Sequence, residues 1–169
     1  MEERQVSVDG KPRSVPSPFM LIATQNPIDI EGTYRLPEAQ LDRFMMRIAL
    51  GYPDVNTEVD ILKRHVAERP IEDVRPVVDR REIARLIGQV RSVHVSEGIF
   101  QYVARVADAT RQVADLRLGA SPRASLALLR AAKATAFLSG RDFTTPDDVK
   151  DVAPYVLAHR LIVNHEAGV

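Results

Sequence analysis

The segment 18–50 restricts the fold more than any other part of the chain. Residues 19–23 are an apolar run bounded by proline, and such a run is typical of a strand buried on both faces of a parallel sheet. Three polar residues follow, the last of them Asn26, before Pro27 ends the strand. Because ligands bind just beyond the carboxyl ends of parallel strands, Asn26 is predicted to face a ligand.

A short helix is predicted in the second half of this segment. Residues 36–38 place a proline at the first helical position and an acidic residue in the first turn, which favours a helix start. Asp42 and Arg43 would lie near the end of this helix. Residues 47–50 would then form the next strand.

The beginning of the chain predicts a β-hairpin. Val6 and Val8 alternate with polar residues, and Asp9-Gly10 is a strong signal for a two-residue turn. Residues 11–15 would pair back as a second strand, in which proline favours an edge position.

From residue 53 onward the pattern changes from strands to helices, whose apolar residues recur with the period of an amphipathic helix. Pro154 is expected to kink or restart the last helix, and Gly140 to end the one before it. Five helix starts are indicated by capping residues: Asn56 or Thr57, Asp79 with Glu82, Ser96, Ser121-Pro122 and Thr145-Pro146. The pattern predicts a bundle of about five helices.

Three motifs resemble those of the MoxR family of AAA+ ATPases, namely ATQNP, EGTYRLPEAQLDRF and GASPRA. The second is long and quite specific, and the resemblance covers almost the whole chain. It implies roles for three residues. Asn26 would be the sensor-1 residue that orients the attacking water. Arg43 would be the arginine finger that reaches into the neighbouring subunit's nucleotide site, and Arg123 the sensor-2 residue.

The chain departs from this family at the nucleotide-binding motifs. It has no G-x-x-x-x-G-K-[ST] sequence, whose backbone N–H groups and lysine hold the phosphates, and no Asp-Glu pair ending an apolar strand. The resemblance therefore implies the C-terminal part of such an ATPase, with a mainly α fold. Residues 1–52 would end the α/β core, with a β-hairpin and one or two parallel strands. Residues 53–169 would form the helical lid.

The resemblance also implies what the intact protein does. A ring, expected to be hexameric, would hydrolyse ATP with Mg²⁺ to remodel or mature protein clients, with von Willebrand factor A-domain proteins as partners. The hairpin would point towards the ring pore. The 169-residue chain alone is expected to be inactive, to hold no cofactor and to self-associate as a dimer or by strand exchange through residues 19–23.

Composition excludes several kinds of site. The 23 basic and 23 acidic residues balance, which disfavours nucleic-acid binding, and the lack of cysteine excludes disulfides and thiolate metal sites. The four histidines lack the spacing of a zinc helix, so they are interpreted as structural or solvated and no metal site is predicted. Without a signal peptide or a membrane-length apolar run, the cytoplasm is the expected location.

Two other functions are compatible with the sequence. One is a non-catalytic helical protein-interaction module that keeps only a remnant of the core. The other is a replication clamp loader or DNA helicase, which the neutral charge and the LPEAQLDRF motif disfavour. A phosphate-binding loop encoded upstream in the same reading frame would favour the ATPase over the interaction module.

Overall fold

Six helices and four short strands form the part of the chain that the computed structural model describes, which comprises residues 5–8, 10–25, 36–67 and 74–164. The strands are β1 (Gln5–Val8), β2 (Lys11–Ser14), β3 (Leu116–Leu118) and β4 (Ile162–Val163). The helices are α1 (Glu38–Leu41), α2 (Val55–Ala67), α3 (Arg80–Ser92), α4 (Glu97–Arg111), α5 (Pro122–Leu138) and α6 (Pro146–Leu157). This order confirms the mainly α fold, in which a β-hairpin and the short helix α1 precede five longer helices.

The β-hairpin forms where the alternating valines predict it. β1 and β2 are antiparallel with Val8 opposite Lys11, so a two-residue loop joins them. Gly10 lies in that loop with a φ of +74°, a left-handed conformation that costs glycine little. The hairpin's orientation towards a ring pore stays a prediction.

The buried core lies between α4, α5 and α6. Leu128 of α5 packs with Val149 and Val156 of α6 and with Ile99 and Val103 of α4. Small side chains on α5 let the neighbouring helices approach closely. The buried alanines of α5 are Ala124, Ala127, Ala131, Ala132 and Ala136. β3 and β4 pair antiparallel beside this core, and neither was predicted because two or three residues are too short for a recognisable alternation.

Predicted capping residues begin the helices, with one exception. The side chains of Ser121 and Thr145 accept hydrogen bonds from backbone N–H groups in the first turns of α5 and α6. α2 begins earlier than predicted, because the carboxylate of Asp54 accepts the N–H of Thr57 at 2.8 Å. The prediction that Asn56 or Thr57 caps this helix is therefore wrong.

Pro154 was predicted to kink or restart the last helix; α6 is continuous through Pro154, so the helix does not restart there. The helix extends to Leu157, and the N–H of Ala158 donates to the carbonyl of Pro154 at 3.2 Å. Pro154 is exposed, so its ring has room on the solvent side and the helix loses one backbone hydrogen bond there.

The two parallel strands predicted at 19–23 and 47–50 are not formed. Met20 and Ile22 of the apolar run are 80% and 76% exposed. A strand needs a neighbouring strand for its backbone hydrogen bonds, and no described segment pairs with either of these. The backbone N–H of Arg47 instead donates to the carbonyl of Tyr155 in α6 at 2.8 Å.

α2 contributes little to the core. Its residues 55–66 are all exposed, including Val59, Leu62 and Val66 of the predicted apolar face. Val113 is also exposed, because it follows the end of α4. Among the described residues, no helix combines the length and apolarity that a membrane crossing requires. The domain boundary after residue 52 stays a prediction.

Candidate functional site

Asp42 lies at the contact between two parts of the chain. One is the segment 36–47, called the α1 segment below. The other is the unit formed by α3–α6 with β3 and β4, called the lid. Asp42 is the C-cap residue of α1, and its carboxylate accepts hydrogen bonds from three lid side chains. Ser121 Oγ lies 3.0 Å from Oδ1, Arg160 Nε 3.1 Å from Oδ1, and Arg123 Nη1 3.2 Å from Oδ2. One carboxylate therefore connects the beginning of α5 with the chain that follows α6.

Arg160 binds several backbone carbonyls of the α1 segment. Its side chain is 2% exposed, and it donates to the carbonyl of Asp42 at 3.2 Å, to that of Met45 at 3.2 Å and to that of Phe44. It also donates to the carbonyl of Val156 in α6. Burial lowers the pKa of Arg160, and the Asp42 carboxylate opposes this shift. The buried charge is thus neutralised by a carboxylate and surrounded by acceptors.

His159, which precedes Arg160 in the chain, contacts the same turn. Its Nε2 lies 3.1 Å from the carbonyl oxygen of Phe44, so the neutral ring donates from Nε2. Burial lowers the pKa of His159, which favours that neutral form. Nδ1 is buried and has no hydrogen-bond partner among the described residues. These contacts give His159 a structural role, in keeping with the sequence interpretation.

Arg43 is exposed between two residues that are bound to the lid. Its side chain forms no hydrogen bond or ion pair with the described part of the chain, whereas Asp42 and Phe44 on either side both contact Arg160. The backbone of Arg43 is held by its N–H, which donates to the carbonyl of Gln40 at 3.1 Å. The turn is thus anchored while its central cation stays at the surface.

Two of the three predicted site residues can be located. Asn26 lies outside the described residues. The other two both adjoin Asp42: Arg123 forms an ion pair with its carboxylate, and Arg43 is the next residue in the chain.

A cleft of about 490 Å³ opens beside this junction. Glu38 and Arg117 form an ion pair of 2.9 Å at the α1 segment. Gly119 is required in the cleft wall, because a Cβ there would lie 2.8 Å from the backbone of Arg111. The residues that line the cleft include Glu38, Asp42, Arg111, Gly119, His159 and Arg160.

The described residues could supply only part of a site for nucleotide phosphates. The donors of Arg160 and the Nε of Arg111 are already bonded to protein carbonyls. Arg123 is 40% exposed, follows the N-terminus of α5, and could contact a phosphate. No group of three carboxylate or histidine ligands suited to a metal occurs among the described residues.

Sequence reasoning missed the buried Arg160 and the central position of Asp42. One signal was present, since His159 and Arg160 interrupt the otherwise largely apolar stretch 152–163. A cation inside such a run must find acceptors when the run is buried. The sequence could not show that its partner is Asp42, because 118 positions separate the two residues.

Two family models match the chain. The model described as AAA lid domain matches residues 108–168. The model described as ATPase family associated with various cellular activities (AAA) matches residues 1–46. The first match covers α5, α6 and the β3–β4 pair, and the second covers the hairpin and most of the α1 segment.

Curated relatives are similar over nearly all of this chain. The uncharacterized protein YeaC of Bacillus subtilis is 43% identical over 99% of the chain and 52% of its own length. Chaperone MoxR1 of Mycobacterium tuberculosis is 40% identical over 99% of the chain and 46% of its own length. The chain thus spans about half the length of the curated relatives it matches.

A solved structure has the same fold. The crystal structure of a Cytophaga hutchinsonii protein superposes with a TM-score of 0.89 at 37% identity, covering 99% of this chain and 55% of the other.

Proposed function

We propose, since this chain belongs to the MoxR family of AAA+ ATPases and corresponds to their C-terminal portion, that it supplies the finger and sensor residues of an ATP-hydrolysing site. The reaction is phosphoryl transfer from ATP to water, in which protein groups act by positioning and charge stabilisation. ATP supplies the phosphoryl group, and Mg²⁺, when bound, would neutralise part of its charge. Asn26 positions the water, Arg43 stabilises transition-state charge in the neighbouring site, and Arg123 contacts phosphate.

The exposure of Arg43 carries this proposal. An arginine that acts on another subunit must have its guanidinium available at the surface and its backbone held in place. Arg43 meets both conditions, because its side chain has no partner within the described residues while Asp42 and Phe44 are bonded to the lid. A surface arginine that merely stabilised a helix end would not need this anchoring.

We propose the same work for the intact ATPase as for its named relative, which is called a chaperone. Subunits would form a ring, expected to be hexameric, that remodels protein clients, with von Willebrand factor A-domain proteins as partners. The exposed apolar residues Phe19, Met20, Leu21 and Ile22 would pair with another strand in that assembly or in a dimer of this chain.

The test is Arg43→Ala in a full-length ATPase that carries these residues together with a phosphate-binding loop. We expect ATP turnover to fall by roughly 10³–10⁵-fold, the range seen for arginine fingers, with ATP affinity nearly unchanged. Arg47→Ala is the matched control, because Arg47 is also exposed and its lid contact uses only the backbone N–H. Near-normal turnover in the Arg43→Ala ring would end the finger assignment.

Mixed rings test whether Arg43 acts on the neighbouring subunit. Arg43→Ala subunits are combined with subunits that lack the phosphate-loop lysine, and turnover is measured across mixing ratios. Recovery of activity is expected, because some interfaces then combine an intact finger with an intact loop. If no ratio restores turnover, Arg43 does not serve the neighbouring site.

A further inference from the structure

We propose that Arg160 is the positioning residue of the arginine finger: it fastens the turn that carries Arg43 to the lid, so that the position of the lid sets the position of the finger. This inference rests on the proposed function, in which Arg43 acts in the neighbouring nucleotide site. Arg160 itself touches no reacting atom in this assignment. It acts through the backbone of the α1 segment.

The hydrogen bonds of Arg160 bracket Arg43 on both sides. Within the turn 42–45, the guanidinium binds the carboxylate and carbonyl of Asp42 and the carbonyls of Phe44 and Met45. The carbonyls of Asp42 and Phe44, the residues on either side of Arg43, are thereby held by one rigid planar group. The contact leaves the Arg43 side chain exposed, which a finger requires.

A simpler role for Arg160 would be to cap the end of α6. Basic residues near helix C-termini commonly bond the last carbonyls, and Arg160 does bond Val156. That role needs no burial and only one acceptor, whereas the Arg160 side chain is 2% exposed and most of its bonds cross to the α1 segment. Burying a charge this deeply is costly without several partners, and the hydrogen bonds from Arg160 to the α1 segment supply these partners.

The same network links the finger turn to Arg123. The Asp42 carboxylate is shared by Arg160, Ser121 and Arg123, and Arg123 is the residue proposed to contact phosphate. A change at Arg123 would alter the charge that Asp42 faces at the start of α5. Because Asp42 directly precedes Arg43, the network gives the lid a short covalent and hydrogen-bonded connection to the finger.

The test compares Arg160→Lys with Arg117→Lys in the full-length ring. Lysine keeps the charge of Arg160 but cannot hold the turn with a planar fork, and misplacing a catalytic group by about 1 Å can cost on the order of 10²-fold in rate. We expect that loss in turnover for Arg160→Lys, with ATP affinity unchanged. Arg117→Lys should stay near normal, because Arg117 also contacts the α1 segment, through Glu38, but is 61% exposed.

The mixing behaviour separates positioning from a general defect. Arg160→Lys subunits should recover turnover when mixed with subunits lacking the phosphate-loop lysine, and should not recover when mixed with Arg43→Ala subunits. The double variant Arg43→Ala/Arg160→Lys should turn over ATP no more slowly than Arg43→Ala alone. An additive loss in the double variant would overturn the inference.

Failure of this inference can be told from failure of the proposed function. Normal turnover in Arg43→Ala rings would overturn the finger assignment and this inference with it. A large loss in Arg43→Ala rings together with normal turnover in Arg160→Lys rings would overturn the role of Arg160 alone.

Amide hydrogen exchange on the 169-residue chain distinguishes positioning from loss of folding. In Arg160→Lys we expect faster exchange at Phe44 and Arg47, whose N–H groups donate to Leu41 and Tyr155, with the protection of α4 and α5 retained. An equal loss of protection across α4 and α5 would show that Arg160 only stabilises the lid, and would overturn its positioning role.

Discussion

Among the described residues, two ion pairs contain a buried member, and they join different parts of the molecule. Asp42 with Arg160 connects the α1 segment to the lid, whereas Asp148 with Arg141 lies within the lid. Asp148 is 2% exposed and binds Arg141 through both carboxylate oxygens, and it also accepts the N–H and hydroxyl of Thr145. The Arg141 hydrogen bonds, supported by those of Thr145, lower the pKa of Asp148 to about 2.

We expect Asp148→Asn to destabilise the chain in a pH-dependent way. The unfolded carboxyl titrates near 3.8 and the folded one at about 2, so its stabilisation is present above the first value and is lost as the pH falls through the second. That interval corresponds to about 2 kcal/mol. Urea unfolding of both proteins at about pH 6 and about pH 2 should show the difference in unfolding free energy shrinking in acid.

Asp147→Asn is the control for this experiment. Asp147 precedes Asp148 but its side chain is 81% exposed and pairs with Lys150 at the surface, where an ion pair contributes little. It should change the unfolding free energy only slightly at either pH. A difference for Asp148→Asn that does not vary with pH would show that lost packing, not the carboxylate charge, causes its effect.

At the scale of elements, helix starts were predicted well because their signals are local. Ser121 and Thr145 stand within three residues of the N–H groups they bind, so the sequence contains the whole interaction. The strands at 19–23 and 47–50 were predicted wrongly for the opposite reason. An apolar run indicates that a strand would be buried once it paired with a neighbouring strand, but it does not show that such a neighbouring strand is present.

Thr145→Ala should lower the free energy of unfolding by about 1 kcal/mol, the usual cost of losing a side-chain cap. The Thr145 hydroxyl accepts the N–H of Asp148 in a capping box that begins the buried helix α6. Ser96→Ala is a matched control, because Ser96 begins α4 without a side-chain capping bond. Urea unfolding measures both, and equal losses would contradict a specific contribution from the capping box.

At the scale of the whole molecule, the described chain joins the turn 42–45, where Arg43 is exposed, to a well-packed lid. The lid core between α4, α5 and α6 is built from small and branched apolar residues, so it can hold the α1 segment as a rigid support. The chain has no G-x-x-x-x-G-K-[ST] motif, so it lacks the backbone N–H groups and lysine that hold the phosphates of ATP in a phosphate-binding loop.

We therefore expect the 169-residue chain to hydrolyse no ATP and to bind MgATP weakly. A single arginine, such as Arg123, could not replace the backbone N–H groups and lysine of a phosphate-binding loop. Isothermal titration calorimetry with MgATP measures the affinity, and a full-length relative with an intact loop is the positive control. Binding in the micromolar range by the 169-residue chain would contradict the prediction.

Features that depend on neighbouring residues could be predicted from the sequence. These are the hairpin turn at Asp9-Gly10, the starts of α4, α5 and α6, and the family motifs that contain Arg43 and Arg123. The functional roles of Asn26, Arg43 and Arg123 stay predictions.

The side chains that meet at Asp42 could not be predicted, because they are brought together by tertiary packing. Its partners Ser121, Arg123 and Arg160 lie 79, 81 and 118 positions away, and no periodicity or capping pattern extends over such distances. Packing of the lid brings them together, because the buried charge of Arg160 requires acceptors and the turn 42–45 supplies them. The exposure of Arg43 follows from the same contacts, since its neighbours in the turn are bound to the lid.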